Sequence, residues 1–148
     1  MVFAAEYHFD LSKTSSSLSR MGALHNIVYL SMDTSQQYAL GTFAANQRIR
    51  AAVIDGAHNA DSVFMDTFNL LHDIPCCVSV VVYHDWCDQV VYDTIQLFVQ
   101  AGILRFRGSI GTRNWDFWWC SDGRSEGAAF DVVRSAALLP ALARLRRQ

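Results

Sequence analysis

Apolar residues along the chain fall into short runs of two kinds, some alternating with polar residues and some recurring at helical spacing. Residues 2–9 alternate and are rich in apolar side chains, which predicts a strand ending at Asp10. Residues 11–24 place Leu11, Leu18, Met21 and Leu24 at helical spacing, with Asp10 or Ser12 as N-cap; the run Ser15-Ser16-Ser17 weakens that helix. Residues 26–32 (NIVYLSM) are β-branched and aromatic and predict a strand, and residues 34–46 a short helix. Residues 50–54 (RAAVI) read as a buried strand closed by Asp55-Gly56.

In residues 60–73, Phe64, Phe68 and Leu71 stand at i, i+4 and i+7, one face of a helix that Pro75 must end. Residues 77–83 (CVSVVVY) form the clearest strand, nearly all apolar, as suits a strand covered on both faces. Residues 87–101 carry Val91, Ile95 and Phe98 on one helical face, and Gly102 is suited to the position just past the helix end. Two more strands follow, residues 103–108 and 114–120, joined by a hairpin-length loop. A last helix over residues 127–147, kinked near Pro140, has a basic end with Arg144, Arg146 and Arg147 that suits its dipole.

Strands alternating with helices predict an α/β domain over residues 1–148: a Rossmann-like, mostly parallel sheet with helices on both faces, closed by a C-terminal antiparallel β-hairpin. Half of the 148 residues are apolar (51%), enough to build one core, and the net charge of −2 offers no global field for nucleic acid. Glu6, His8 and Asp10 interrupt the first apolar stretch, so it does not read as a signal peptide. The longest apolar run, residues 74–83, is too short to span a bilayer. The four cysteines, Cys76, Cys77, Cys87 and Cys120, contain no C-x-x-C pair and are expected to be buried reduced thiols of a cytoplasmic protein. Trp86, Trp115, Trp118 and Trp119 read as core packing or as the lining of a pocket.

In an open parallel sheet, ligands bind beyond the carboxyl ends of the strands. The residues standing just past the predicted strands are Asp10, Asp33, Asp55 and the pair His84-Asp85. Each Asp also fits a helix N-cap, because its carboxylate accepts backbone N–H bonds. A shared rim of carboxylates, by contrast, repels itself unless cations or hydroxyls bind there.

Two segments carry a family resemblance: Ile54-Asp55-Gly56-Ala57-His58-Asn59, followed by a helix containing Asp66, and Val80-Val81-Val82-Tyr83-His84-Asp85-Trp86. The pair resembles the small-molecule O-methyltransferases and cephalosporin-hydroxylase-like proteins among the class I S-adenosylmethionine-dependent methyltransferases. The resemblance implies that Asp55 ends the fourth strand of that fold and His84-Asp85 follow the fifth, with two terminal antiparallel strands. It implies S-adenosylmethionine as cofactor, with Asp10 on the ribose hydroxyls, Asp33 near the adenine and Asp55 beside them. It also implies Mg²⁺ held by Asp55, His84 and Asp85, and a small-molecule acceptor; His58, as a histidine that titrates near neutral pH, reads either as a general base for the acceptor hydroxyl or as a structural residue holding its loop. His84 stands where some relatives place a further carboxylate. No Gly-rich run follows the first strand here, and Ile74-Pro75-Cys76-Cys77 replaces the family's Pro-Gly-Gly. The expectation is therefore a methyltransferase-like domain whose first strand and Gly-rich loop are missing at the N-terminus.

Other readings stand beside this one. A truncated methyltransferase-like domain could serve in binding or assembly, pairing as a homodimer or with a partner chain through an exposed sheet edge. No nucleic acid or membrane partner is expected. The run IDGAHN also looks like one in folylpolyglutamate synthases, but no phosphate-binding P-loop accompanies it. A ribonuclease-H-type nuclease would begin with an antiparallel meander, which the alternating pattern does not show.

Overall fold

The computed structural model describes residues 2–6, 27–31, 49–111, 120, 123–135 and 137–147. Strands β1 (Val2–Glu6) and β2 (Ile27–Ser31) pair in parallel, Val2 opposite Ile27 and Glu6 opposite Ser31. The predicted helices over residues 11–24 and 34–46 lie outside the described residues, as do Asp10, Asp33, Trp115, Trp118 and Trp119.

The described residues from 49 onward build a four-stranded mixed sheet with helices packed on it. Its elements are β3 (Ala51–Ile54), α1 (Ala60–Asp73), β4 (Val80–Tyr83), α2 (Gln89–Gln100), β5 (Leu104–Ile110), β6 (Gly127–Val132) and α3 (Leu138–Leu145). The sheet order is β3-β4-β6-β5. β3 and β4 run parallel, while β6 lies antiparallel to both of its neighbours, so β5 points the same way as β3 and β4. The molecule is α/β, but this sheet is more mixed than the expected mostly parallel one.

Local signals account for the two longer helices. Asn59 caps α1 through its side-chain oxygen, which accepts the Ser62 amide at 2.9 Å. The helix ends where the Ile74 amide donates to the Leu70 carbonyl, and Pro75 cannot extend it. Asp88 caps α2, accepting the amides of Val90 and Val91 at 2.7 and 3.3 Å. Gly102, at φ 69°, supplies the left-handed residue that closes α2.

The end of the chain departs from expectation. Residues 127–132 form β6, not the start of a long helix, and helix α3 is confined to Leu138–Leu145, with Pro140 in its first turn, where its missing N–H is not needed. The run Gly-Ala-Ala-Phe-Asp-Val suits either state on local grounds. The slot between β4 and β5 decides it: Phe130 faces Val81 and Phe106, and Asp131 faces Val80 and Arg105. Small residues fit that slot, for a Cβ at Gly127 would stand 3.0 Å from the Tyr83 carbonyl oxygen. β5 thus pairs with β6, and the predicted strand over residues 114–120 lies outside the described residues except for its last residue, Cys120, which makes an antiparallel bridge to Asp88.

One face of the sheet carries the buried positions Val81, Tyr83, Leu104, Ala128, Phe130 and Val132. They share a core with Val63, Phe68 and Leu71 of α1, Val91, Ile95 and Phe98 of α2, and Leu138 and Leu142 of α3. Trp86 belongs to this core, its ring 5.1 Å from Phe130 and 4.7 Å from Tyr92. The other face holds Val53, which is 71% exposed, and an ion pair between Arg105 and Asp131 at 3.2 Å. Among the described residues, helices therefore cover one face. No described helix is long and apolar enough to cross a membrane.

The cysteines are not the buried thiols that composition suggests. Cys76 is disulfide-bonded to its neighbour Cys77, and Cys87 to Cys120. Cys76 is exposed in the turn after α1. The second bond follows from folding, which brings the Cα atoms of Cys87 and Cys120 to 4.5 Å across 33 residues.

Candidate functional site

The register of β3 and β4 builds the site. Ile54 is opposite Tyr83, so the residues after them, Asp55 and His84-Asp85, leave the sheet at the same rim. The His84 amide donates to the Ile54 carbonyl at 3.0 Å and fastens the two strand ends together. Neighbouring strands lie about 4.8 Å apart, so side chains leaving both ends meet within contact distance.

Asp55, His84 and Asp85 do meet there, with one ligand atom of each inside a common 4.8 Å. His84 Nδ1 lies 2.6 Å from Asp85 Oδ2 and 3.4 Å from Asp55 Oδ1. Its other nitrogen, Nε2, is 3.2 Å from Glu126 Oε1. The hydrogen bond to Asp85 raises the His84 pKa; partial burial opposes this, and the charges of Asp85 and Asp55 and the bond to Glu126 add to the rise.

Asp85 is 8% exposed and adopts φ 52°, a left-handed conformation that few residues other than Gly, Asn and Asp take. The turn is held by the Asp88 amide donating to the Asp85 carbonyl at 2.8 Å and the Trp86 amide donating to the Glu126 carbonyl at 2.8 Å. It directs one carboxylate oxygen at two imidazoles, because His58 Nε2 also sits 2.8 Å from Asp85 Oδ2.

His58 leaves the loop before α1 with 41% of its side chain exposed. Its Nδ1 is 3.7 Å from Asp88 Oδ2, beyond hydrogen-bond reach but close enough to feel the charge. An Nε2–H donated to Asp85 leaves Nδ1 with a lone pair that can accept a proton. That is the arrangement of an oriented general base. A shallow recess lined by Asp55, Gly56, His58, Tyr83, His84 and Asp85 opens over the cluster. Beneath it Tyr83 is fully buried, its hydroxyl 3.0 Å from Thr67 Oγ1, and burial pushes its pKa well above the usual tyrosine value.

Four of the residues read from the sequence thus come together: Asp55, His58, His84 and Asp85. Two participants were not foreseen in this role. Asp88 is an N-cap that also faces His58. Glu126 reaches His84 from a point 42 residues along the chain. An Asp standing just before a helical run is a readable N-cap signal for Asp88. Nothing local marks Glu126, whose place depends on β6 entering the sheet beside β4.

The donor set fits an ion imperfectly if that ion is Mg²⁺. Asp55 and Asp85 offer hard oxygens, but the third donor is a nitrogen, and Mg²⁺ demands a near-octahedral shell of oxygens. Of the three acids that the resemblance assigns to S-adenosylmethionine, Asp55 is the one among the described residues. Compared with models of known families, the chain matches none. A search of curated proteins finds no match either.

Proposed function

We propose that this domain is a methyltransferase-like protein that transfers a methyl group from S-adenosylmethionine to a hydroxyl oxygen of a small molecule. The observation that carries this reading is the convergence of Asp55, His58, His84 and Asp85 at the ends of two hydrogen-bonded parallel strands. These are the residues of the two segments that resemble the small-molecule O-methyltransferases. Two terminal strands, β5 and β6, also run antiparallel, as that resemblance implies.

S-adenosylmethionine supplies a sulfonium-bound methyl group, which an oxygen nucleophile takes in one in-line displacement. The chain's own residues prepare that oxygen. His58 Nδ1 accepts the hydroxyl proton, and the Asp85 carboxylate steadies the imidazolium that results through its contact with Nε2. Asp55 and Asp85, with His84, would hold a cation if one binds, and such a cation would supply Lewis-acid chemistry at the acceptor oxygen. By resemblance, Asp10 binds the ribose hydroxyls and Asp33 lies by the adenine.

Isothermal titration with S-adenosylmethionine tests the reading. Heat of binding, and competition by the demethylated product, are expected. No heat and no competition would remove methyl transfer.

A second reading, a non-catalytic domain for binding or assembly, has its own support. β3 is the outer strand of the four-stranded sheet, with no partner on its far side among the described residues, and Val53 on it is 71% exposed. Such an edge invites a further strand from a second copy or a partner chain. A strictly monomeric sedimentation profile would count against it.

A further inference from the structure

We propose that Asp55, His84 and Asp85 form a site for a first-row transition-metal ion of the Zn²⁺ class, and not for Mg²⁺. The inference rests on the reading that this strand-end cluster is the working site, and it names the ion that works there.

The donor set makes the first argument. One imidazole nitrogen and two carboxylate oxygens from three side chains lie within 4.8 Å of one another. Imidazole ligates zinc, iron, nickel and copper, whereas carboxylate, carbonyl and water suit magnesium and calcium. Ligand atoms about 2.0–2.2 Å from a tetrahedral ion stand about 3.4 Å apart. His84 Nδ1 and Asp55 Oδ1 are already at 3.4 Å, while Nδ1 and Asp85 Oδ2, at 2.6 Å, need to part by a small rotation.

The surroundings of the histidine make the second. A ligating histidine almost always donates its outer N–H to a carboxylate or carbonyl, which fixes the tautomer and aims the inner nitrogen at the metal. Glu126 does this for His84: its Oε1 takes Nε2 at 3.2 Å, from the residue just before β6 and outside the donor cluster. Nδ1 faces the carboxylates of Asp55 and Asp85, so a metal ion bound there would take the place of the proton that Nδ1 shares with Asp85 in the metal-free chain. Asp85 is oriented too, since its ligating oxygen also takes His58 Nε2 at 2.8 Å.

Access makes the third. The Asp55 and His84 side chains are 63% and 43% exposed, so an ion reaches them directly from solvent. Three protein ligands leave the fourth position to water or to an acceptor oxygen, the pattern of catalytic rather than structural zinc. All four cysteines are in disulfides, so no thiolate competes for the ion while the chain is oxidised.

The test is isothermal titration of the oxidised chain with zinc chloride and, separately, magnesium chloride, with no other ligand present. One Zn²⁺ per chain is expected, bound at least about 100-fold more tightly than Mg²⁺, as a nitrogen-containing set prefers. His84→Ala and Asp55→Asn should each weaken Zn²⁺ by about 10-fold or more, and Glu126→Gln by about 10-fold. The Co²⁺-loaded chain should show a visible absorption band that His84→Ala abolishes. Asp55 is largely exposed, so its variant keeps the test open if His84→Ala does not fold, as circular dichroism will show. Equal affinity for Mg²⁺ and Zn²⁺ would overturn the proposal. So would Zn²⁺ binding that is indifferent to both His84→Ala and Asp55→Asn. The metal-free titration with S-adenosylmethionine separates the two claims: zinc without the nucleoside leaves this site standing and removes methyl transfer, and the nucleoside without zinc does the reverse.

Discussion

At the scale of single residues, His84 has both ring nitrogens on carboxylates of different origin. Its pKa is raised, chiefly by the bond to Asp85. A raised folded-state pKa means that protonation stabilises the fold: the contribution is complete below the unfolded value of about 6.5 and is lost as pH rises through the folded value. An NMR titration of the metal-free chain should therefore find the His84 midpoint above 6.5, and Asp85→Asn should bring it down. An unshifted midpoint in the wild type would show that Asp85 does not hold the ring. Gly127 is constrained by its neighbours rather than by charge. A Cβ there meets the Tyr83 carbonyl oxygen at 3.0 Å, and that backbone cannot yield without moving β4. Gly127→Val should cost about 1–3 kcal/mol in urea unfolding, the usual range for forcing volume into a packed site.

At the scale of elements, the two helices beside the site start on capping side chains that are also near its chemistry. Asp88 caps α2 and faces His58, and the two roles separate by mutation. Asp88→Asn keeps the cap, since Asn and Asp cap about equally well, and should leave stability nearly unchanged while removing the charge beside His58. Asp88→Ala should lose about 1 kcal/mol as well. Equal stability of the two variants would show that the cap contributes nothing. Inside the core, Phe98 of α2 is wholly buried, and Phe98→Ala should cost about 3–5 kcal/mol through the cavity it leaves. Element boundaries were legible wherever the stop signal is local. Asn59 and Pro75 mark α1 to the residue, and Gly102 ends α2, because caps and proline act through the backbone within one turn. β6 was not legible. Alanine favours a helix and Val132 a strand, and the run has no strong preference of its own.

At the scale of the whole molecule, the sheet order and the Cys87–Cys120 bond tie the late chain to the site. That disulfide joins residues 33 apart and touches the segment holding Asp85 and Asp88. Closing a loop of that length restrains the unfolded chain, so reduction should lower stability by about 4 kcal/mol. The bond between adjacent Cys76 and Cys77 closes almost no loop and should contribute little by the same entropic argument. Thermal unfolding of Cys87→Ser/Cys120→Ser beside Cys76→Ser/Cys77→Ser decides this. A larger loss from the adjacent pair would refute the argument.

By itself the sequence determined the α/β class, the helices around Phe68 and Ile95, and the meeting of Asp55 with His84-Asp85. These follow from periodicity, capping and the fact that paired parallel strands end at one rim, all read within a few residues of each position. Only the tertiary structure decided that residues 127–132 enter the sheet, that Glu126 turns His84 toward its carboxylates, and that Cys87 finds Cys120. The reason is hydrogen-bond demand. A vacant slot between β4 and β5 leaves two rows of backbone groups unpaired, and satisfying them outweighs the weak local preference of Gly-Ala-Ala-Phe-Asp-Val. Which segment fills that slot is set by partners far away in the chain, and no local pattern records them.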